Sequence, residues 1–423
     1  MTTNPTSAEL SRQISLSDAV VIGLGSMIGA GVFVAFGPAT NAAGTGVLVA
    51  LVIAGIIAYC NAVASAQLAA QYPVSGGTYI YGRERLNDWA GFVAGWGFVI
   101  GKTASCTAMA LTFGTYAVPN SPGAQRVIAI LAVAALAALN YRGVTRTVQM
   151  TRILLTLTLT SLGILVISLV GTRSVDLGRL TEASSWENVS VSGILQAAGF
   201  LFFAYAGYAR IATMGEEVAD PTVTIPRAIP LALFLTMAIY AVVGVVILGT
   251  AGAGAIGDSS TPLVTAANAG GVGWVAPLLQ LGAMVASLGA LLGLMAGIGR
   301  TTLAMARHGD LPAKLASVHP KYKVPHIAEV VLAAVVIAIL LVADIRGAIG
   351  FSSFGVLVYY SIASLAAWTQ TGEYRRWPRW IFALGLIGCV TLVVMLPWQS
   401  VVMGLVVYVV GLVARYLVQT RKR

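Results

Sequence analysis

The chain has 423 residues, of which 58% are hydrophobic and only 9% are charged. Soluble domains carry about 25% charged residues, so this composition excludes an ordinary soluble protein and predicts an integral membrane protein. The net charge of +10 would suggest nucleic-acid binding in a soluble protein. Here the basic residues lie in short loops and at the C-terminus, where they set membrane topology, so we expect a lipid bilayer and no nucleic-acid partner.

Twelve apolar segments are long enough to cross a bilayer, since a membrane-spanning helix needs about 20 residues. The predicted fold class is therefore all-α, a polytopic membrane protein with about 12 transmembrane helices in a single domain over residues 1–423. The segments are roughly 17–40, 44–70, 88–117, 124–140, 150–171, 192–218, 227–250, 272–300, 326–343, 348–369, 378–396 and 398–417.

Basic residues are distributed unevenly between the two sides of the predicted bundle. An even number of spans places both termini on one side. With the N-terminus inside, the outer loops hold only four basic residues, Arg126, Arg173, Arg179 and Arg346. Lys102 and Arg210 lie within segments, so the inner loops and tails hold the other 19 of the 25 Lys and Arg residues. Because inner loops are enriched in Lys and Arg, we predict a multi-pass protein of the cell membrane with cytoplasmic termini.

Four glycines, Gly23, Gly25, Gly29 and Gly31, fall within nine residues of the first apolar segment. Each costs about 1 kcal/mol relative to alanine inside a helix, and every backbone group freed inside a bilayer needs a new partner. We therefore predict a helix broken around a ligand, to which its ends offer N–H donors on one side and C=O acceptors on the other. The alternative is a close helix–helix contact, because small residues four apart pack membrane helices together.

The sixth segment has its own interruption, where Gly207 is followed three residues later by Arg210. Segments one and six are five apart, so they cross the membrane in opposite directions. Matching broken helices in two inverted halves mark the substrate site of many transporters. The alternative is that Gly207 is a packing glycine. The predicted organisation is a first inverted repeat at 17–171, a second at 192–369, and two appended helices at 378–417.

Residue patterns of enzyme chemistry are missing from the sequence. It contains neither a P-loop nor a GxSxG motif, so transport would be secondary or facilitated and not driven by ATP. His308, His319 and His326 share one inner loop at spacings of 11 and 7, which do not match a metal-ligand pattern. We therefore expect no enzymatic activity, no metal site and no cofactor.

Four blocks of sequence, in this order, carry a resemblance to a known family. They are GSMIGAGVF at 25–33; YPVSGGTY at 72–79 with Gly95-Trp96 in the third helix; 202–207 with 216–221 and 225–229; and 300–312, which contains MARHG. Together they resemble the amino acid–polyamine–organocation (APC) superfamily of permeases. The resemblance implies the LeuT fold, a five-plus-five inverted repeat with helices 1 and 6 broken.

The resemblance also implies that an amino acid binds at mid-membrane between helices 1 and 6. Its α-carboxylate would lie on the N–H groups of Ala30 and Gly31, and its α-ammonium would face carbonyls at the ends of the two breaks. Phe203 matches the family's occluding aromatic; Tyr205 or Tyr208 could serve instead, or could simply pack. The expected substrate-binding residues are Met27, Ile28, Gly29, Ala30, Gly31, Phe203, Ala206, Gly207 and Tyr208.

Gate candidates surround the second break. Glu216 and Glu217 follow helix 6 and are expected to pair with basic loops and hold an inner gate, or else only to cap the helix. Tyr205 is a further gate candidate. Arg210 would face the vestibule; the alternative is that it snorkels towards the inner surface.

Lys102 lies near the middle of the third apolar segment. A lysine there costs about 2.5–3.5 kcal/mol on insertion scales, so we expect it to face the protein interior. It would lose its proton, since burial disfavours the charged form, or point at carbonyls and hydroxyls of the broken helices, with Ser287 as a candidate partner. Both fit a coupling role. We expect a proton as the coupling ion, with sodium as the alternative; a purely structural lysine is the other interpretation.

The predicted function is a secondary active permease for a neutral or, alternatively, an acidic amino acid. Cationic substrates would need acidic residues at mid-depth, whereas the acids of this chain lie in loops or near helix ends, as Glu329 does. The alternatives are an exchanger, or an amine, nucleobase or organic-acid permease on the same fold. A non-transporting sensor is less favoured, because the inner loops are too short for an added soluble domain.

Overall fold

The fold is an all-α bundle, as the sequence predicts. The structure, a computed structural model, describes residues 14–74, 76–119, 121–143, 148–212, 214 and 217–420. Within these residues it contains eighteen α-helices, and its β-structure consists of one isolated bridge between Ile14 and Val218.

Helices of membrane-spanning length dominate the bundle. Among the described residues, nine helical stretches are long and apolar enough to cross a bilayer. The remaining predicted spans correspond to the 30-residue helix Asp88–Ala117, which contains Lys102, and to the shorter apolar helices His326–Leu340 and Arg379–Met395. Each of the twelve predicted segments therefore coincides with helix, and the protein is a polytopic membrane protein.

The first span is interrupted at the glycine cluster, as the sequence predicts, but the first half of the chain also contains two features that the sequence did not predict. The first span has a second interruption, at Ala35, and a short helix at Thr78–Arg85 occupies a predicted loop. Ser15 and Asp18 form a capping box at the start of the bundle, with the Asp18 N–H donating to Ser15 Oγ at 3.2 Å. The helices are α1 Leu16–Met27, α2 Ala30–Val34, α3 Phe36–Ala43, α4 Val47–Gln71, α5 Thr78–Arg85, α6 Asp88–Ala117, α7 Pro122–Tyr141, α8 Val148–Gly171 and α9 Gly178–Thr181.

The second half repeats the pattern of long helices with one interruption. The seventh predicted span is longer than expected and bends at Gly252, whose φ of 77° is a conformation that favours glycine. A further short helix, α13, lies in the predicted loop after it. The helices are α10 Val191–Tyr205, α11 Ala209–Ala212, α12 Pro221–Gly257, α13 Pro262–Ala269, α14 Ala276–Arg307, α15 His326–Leu340, α16 Ile345–Trp368, α17 Arg379–Met395 and α18 Trp398–Thr420.

Close contacts between small residues position the central helices. α6 packs against both α14 and α16. A Cβ added at Gly355 of α16 would lie 2.8 Å from the Gly101 Cα of α6, so neither position tolerates a larger side chain without movement. Such contacts let membrane helices approach closely. They bring Lys102, the neighbour of Gly101, against the broken helices.

Candidate functional site

The first break separates α1 from α2. Ile28 (φ −81°, ψ 50°) and Gly29 (φ −94°, ψ −138°) leave the helical conformation. The Met27 carbonyl, freed by the break, accepts a hydrogen bond of 2.6 Å from the Tyr240 hydroxyl of α12. Among the described residues no side chain caps the start of α2 at Ala30. The N–H side of the break therefore has no side-chain cap from the described part of the chain, while on its carbonyl side Met27 already accepts from a neutral hydroxyl.

The second break separates α10 from α11. The chain turns at residues 206–208, and the Gly207 N–H donates to the Tyr205 carbonyl at 2.7 Å. The freed Ala206 carbonyl accepts a hydrogen bond of 3.0 Å from Lys102 Nζ and a longer one of 3.4 Å from the Tyr360 hydroxyl. A buried ammonium therefore holds the carbonyl side of this break.

Glycine allows the two breaks to touch. A Cβ on Gly207 would lie 2.4 Å from the carbonyl carbon and oxygen of Ser26 and 2.7 Å from the Met27 nitrogen. A Cβ on Gly31 would lie 2.8 Å from both Cα and Cβ of Ala204. The two interpretations of these glycines are therefore compatible, because Gly31 and Gly207 both lie at a break and both permit close packing.

A cavity lies beside the two breaks. It extends to the start of α8 and the last turns of α14. The start of α1 lies at the same end of the bundle, since Asp18 of α1 forms an ion pair with Arg152 at the start of α8. We call this the N-terminal end. The residues lining the cavity include Ser26, Phe98, Lys102, Ser105, Thr151, Phe203, Ala206, Gly207, Arg210, Gly297, Arg300 and Thr301.

Eight of the nine predicted binding residues divide into two groups, and the ninth, Tyr208, packs on Tyr360. Phe203, Ala206 and Gly207 line the cavity. The adjacent first break is formed by the other five, Met27, Ile28, Gly29, Ala30 and Gly31. A side chain added at Gly31 would collide with Ala204 of α10.

The aromatic candidates for an occluding lid have different surroundings. Phe203 lines the cavity. Tyr205 packs on Tyr240, with ring centroids 5.2 Å apart, and Tyr208 packs on Tyr360 at 5.0 Å. Both tyrosines are fully buried, which matches the packing alternative for them.

Lys102 is 8% exposed and lines the cavity. Of the two arrangements that the sequence left open, the structure has the one in which the lysine points at a carbonyl of a broken helix. Ser287 is not its partner, contrary to expectation. The Ser287 hydroxyl donates to the Ala283 carbonyl at 2.6 Å, since a serine inside a helix readily bonds to the carbonyl four residues earlier.

Among the gate candidates, Glu217 lies at the N-terminal end. Glu217 forms an ion pair with Arg300 at 3.8 Å, and its carbonyl accepts the Ile14 N–H at 3.0 Å; the Ala219 N–H donates back to Ile14 at 2.9 Å. The segment after α11 is thereby joined to the segment before α1. Arg210 lines the cavity, as the vestibule interpretation requires. Glu216 lies outside the described residues.

A buried charge cluster at the N-terminal end was missed by the sequence analysis. Asp310 accepts hydrogen bonds from Arg415 at 2.8 Å, from Arg83 at 3.1 Å and from the Tyr79 hydroxyl at 2.8 Å. Arg415, which is 2% exposed, also lies over the ring of Trp89 at 4.3 Å. The cluster anchors α18 to α5 and to the loop after α14.

Tyr240 and Tyr360 were also missed, although their hydroxyls bond to carbonyls of the two breaks. Tyr240 is the one tyrosine of α12, whereas Tyr360 follows Tyr359 in α16, and the chain has fifteen tyrosines. The signal that was available is general, since a buried tyrosine needs a partner for its hydroxyl. It does not identify which tyrosines reach the breaks.

A bundle of apolar helices, with two facing backbone breaks beside a cavity, is the arrangement of a membrane transporter. The amino acid permease family model matches residues 14–414, and the chain belongs to this family. It is 53% identical to the "uncharacterized transporter Rv1999c" of Mycobacterium tuberculosis H37Rv over 96% of this chain and 91% of that protein.

More distant relatives carry names that specify substrates. The chain is 24% identical to the branched-chain amino acid permease BcaP of Bacillus subtilis over 96% of this chain and 93% of that protein. It is 27% identical to cationic amino acid transporter 7, chloroplastic, of Arabidopsis thaliana over 92% of this chain and 71% of that protein. The named substrates of these two relatives differ in side-chain charge.

Proposed function

We propose that this permease is a secondary active transporter that moves a neutral or acidic amino acid by alternating access. The observation that carries the proposal is the contact between the two breaks at Gly207 and Ser26, on the wall of a cavity. Backbone groups released at such a contact can bind both charged ends of an amino acid without charged side chains.

The substrate would bind across this contact. Its α-carboxylate would accept from the N–H groups of Ala30 and Gly31, where the positive end of the helix dipole favours an anion. Its α-ammonium would face the carbonyl side of the breaks, near Met27 and Ile28. Phe203 would close over the bound substrate, a role supported by its position on the cavity wall.

Alternating access would open and close the N-terminal end, which the distribution of basic residues assigns to the cytoplasm of a cell-membrane protein. The Glu217–Arg300 pair and the backbone bridge at Ile14 are the contacts that would separate and re-form. The predicted repeats at 17–171 and 192–369 would move relative to each other around the two breaks.

Lys102 would couple transport to a proton, with sodium as the alternative coupling ion. Its ammonium bonds directly to the second break, so loss of its proton would replace a charged donor by a neutral amine and weaken the hydrogen bond to the Ala206 carbonyl. The protonation state of one side chain would thereby change the substrate site itself.

One observation favours a second candidate, an organic-acid permease on the same fold. Lys102 already occupies the Ala206 carbonyl, which is an expected acceptor for the substrate α-ammonium. A carboxylate without an amine would leave this hydrogen bond in place.

Uptake of radiolabelled amino acids into proteoliposomes of the purified protein, with and without an imposed proton gradient, tests the proposal. We expect saturable uptake of at least one neutral or acidic amino acid, accumulated above equilibrium under the gradient. Uptake of an amine, a nucleobase or an amine-free organic acid, with no amino acid transported, would contradict it.

A further inference from the structure

Lys102 is a cation that the structure only partly satisfies. An ammonium group has three N–H donors. One donates to Ala206, and among the described residues no carboxylate lies within ion-pair distance of Nζ. Because the side chain is nearly buried and lines the cavity, its remaining donors and its charge are left for whatever enters the cavity.

The other cations on the cavity wall are engaged within the protein. Arg300 forms its ion pair with Glu217, and Arg210 also has interactions within the chain. Among the described residues that line the cavity there is no aspartate or glutamate. The wall as described is therefore basic, and Lys102 contributes the charge that lies against the second break.

The position of the ammonium matters as much as its charge. Ala206 precedes Gly207, which lies against Ser26 and Met27 of the first break. Lys102 Nζ therefore lies beside the contact of the two breaks, where the proposed function places the amino acid. One small molecule at this contact could reach both the first break and the ammonium.

Resting on that proposed function, we infer that the transported amino acid is an acidic one, whose side-chain carboxylate accepts a hydrogen bond from Lys102 Nζ. An N⁺–H···O⁻ hydrogen bond is roughly twice as strong as a neutral one, and burial strengthens it further. A neutral amide in its place would leave the ammonium without a counter-charge. Lys102 would thus determine specificity, in addition to its proposed part in coupling.

Thermal unfolding of the purified full-length protein, titrated separately with L-glutamate, L-glutamine, L-aspartate and L-asparagine, tests this inference. The members of each pair differ by a carboxylate against an amide of nearly equal size. We expect the two acids to stabilise the protein at concentrations at least about tenfold lower than their amides, a difference of about 1.4 kcal/mol. Equal or tighter binding of the amides, or of L-arginine, would overturn the inference.

Variants then assign the preference to Lys102. Lys102→Gln should bring the acid and amide titrations together, whereas Lys102→Arg should keep the order of the wild type. Lys314→Gln, at an exposed position, is the matched control and should behave as wild type. An unchanged acid preference in Lys102→Gln would overturn the assignment; if that variant does not fold, the wild-type comparison of acid with amide still decides the substrate class.

The two proposals fail in different ways. Binding of L-leucine or L-alanine without any preference for acids would overturn this inference and leave the amino acid permease standing. If none of these amino acids stabilises the protein, and none is taken up by proteoliposomes, both proposals are wrong.

Discussion

The two breaks are alike in the sequence but differ in how the protein holds them. At the first break a neutral tyrosine hydroxyl donates to the Met27 carbonyl. At the second, a lysine ammonium donates to the Ala206 carbonyl. The first partner keeps its hydrogen bond at any pH at which the phenol stays protonated, whereas the second can gain or lose a charge. From this comparison we propose that the first break is a fixed backbone site and that the second is the one controlled by charge.

The contact between the breaks should be the most sensitive point. Gly207→Ala places a methyl group 2.4 Å from the Ser26 carbonyl, so the breaks must separate. We expect proteoliposome uptake to fall by more than about tenfold, which needs only about 1.4 kcal/mol. Gly163→Ala, where an added Cβ meets nothing within 4 Å, is the control. Wild-type uptake in Gly207→Ala would mean that the contact is not part of the site.

The charge at the second break should matter next. Lys102→Gln retains a hydrogen-bond donor for Ala206 but cannot titrate. At saturating substrate, we expect it to retain substrate exchange while losing accumulation driven by a pH gradient, so that internal and external substrate equalise. The measurement is counterflow compared with gradient-driven uptake in the same liposomes. If the variant concentrates substrate as well as the wild type does, Lys102 is not the coupling group.

The hydroxyl at the first break should have a smaller effect. Tyr240→Phe removes the 2.6 Å hydrogen bond to Met27, a loss of about 1 kcal/mol or roughly fivefold in substrate affinity. Tyr360→Phe is the matched variant at the second break; its bond to Ala206 is longer, at 3.4 Å, and Lys102 remains, so we expect a smaller loss. Substrate titration measures both losses. A larger loss of affinity in Tyr360→Phe than in Tyr240→Phe would mean that the second break, and not the first, depends on its tyrosine hydroxyl.

The smallest effect is expected at the gate. Glu217 and Arg300 are 3.8 Å apart and both partly exposed, and such pairs contribute about 0.2–1 kcal/mol. We expect Glu217→Gln to change the uptake rate by no more than about threefold, because the backbone bridge at Ile14 remains. Glu182→Gln, at an exposed acid, is the control. Complete loss of uptake would show that the pair, and not the bridge, holds this end.

The features that the sequence predicted are local. The twelve spans were predicted from apolar runs and the first break from clustered glycines. Both are visible in the sequence because a membrane-spanning helix needs an apolar run of its own length, and an interruption needs helix-breaking residues at that point. The short helices α5 and α13 were missed, since each lies in a segment whose composition resembles a loop.

The partners across the bundle could not be predicted in the same way. Lys102 and Ala206 are 104 residues apart in the chain, and Tyr240 is 213 residues from Met27. Nothing in the sequence separates the Ala206 carbonyl from the Ser287 hydroxyl as an acceptor, because the packing of α6 among its neighbouring helices, and not a local pattern, determines which group the lysine reaches. The close contact between Gly31 and Ala204 likewise could not be predicted, because it depends on how α2 packs against α10.

The central claim is that the substrate binds where the two breaks meet. The native cysteines are buried, so a single cysteine introduced as Ser26→Cys, on the cavity wall, can be labelled selectively with a small charged thiol reagent. We predict that the transported amino acid slows this labelling in proportion to the occupancy measured by uptake, while labelling of Lys314→Cys is unaffected. Unchanged labelling of Ser26→Cys at concentrations that saturate transport would contradict the claim.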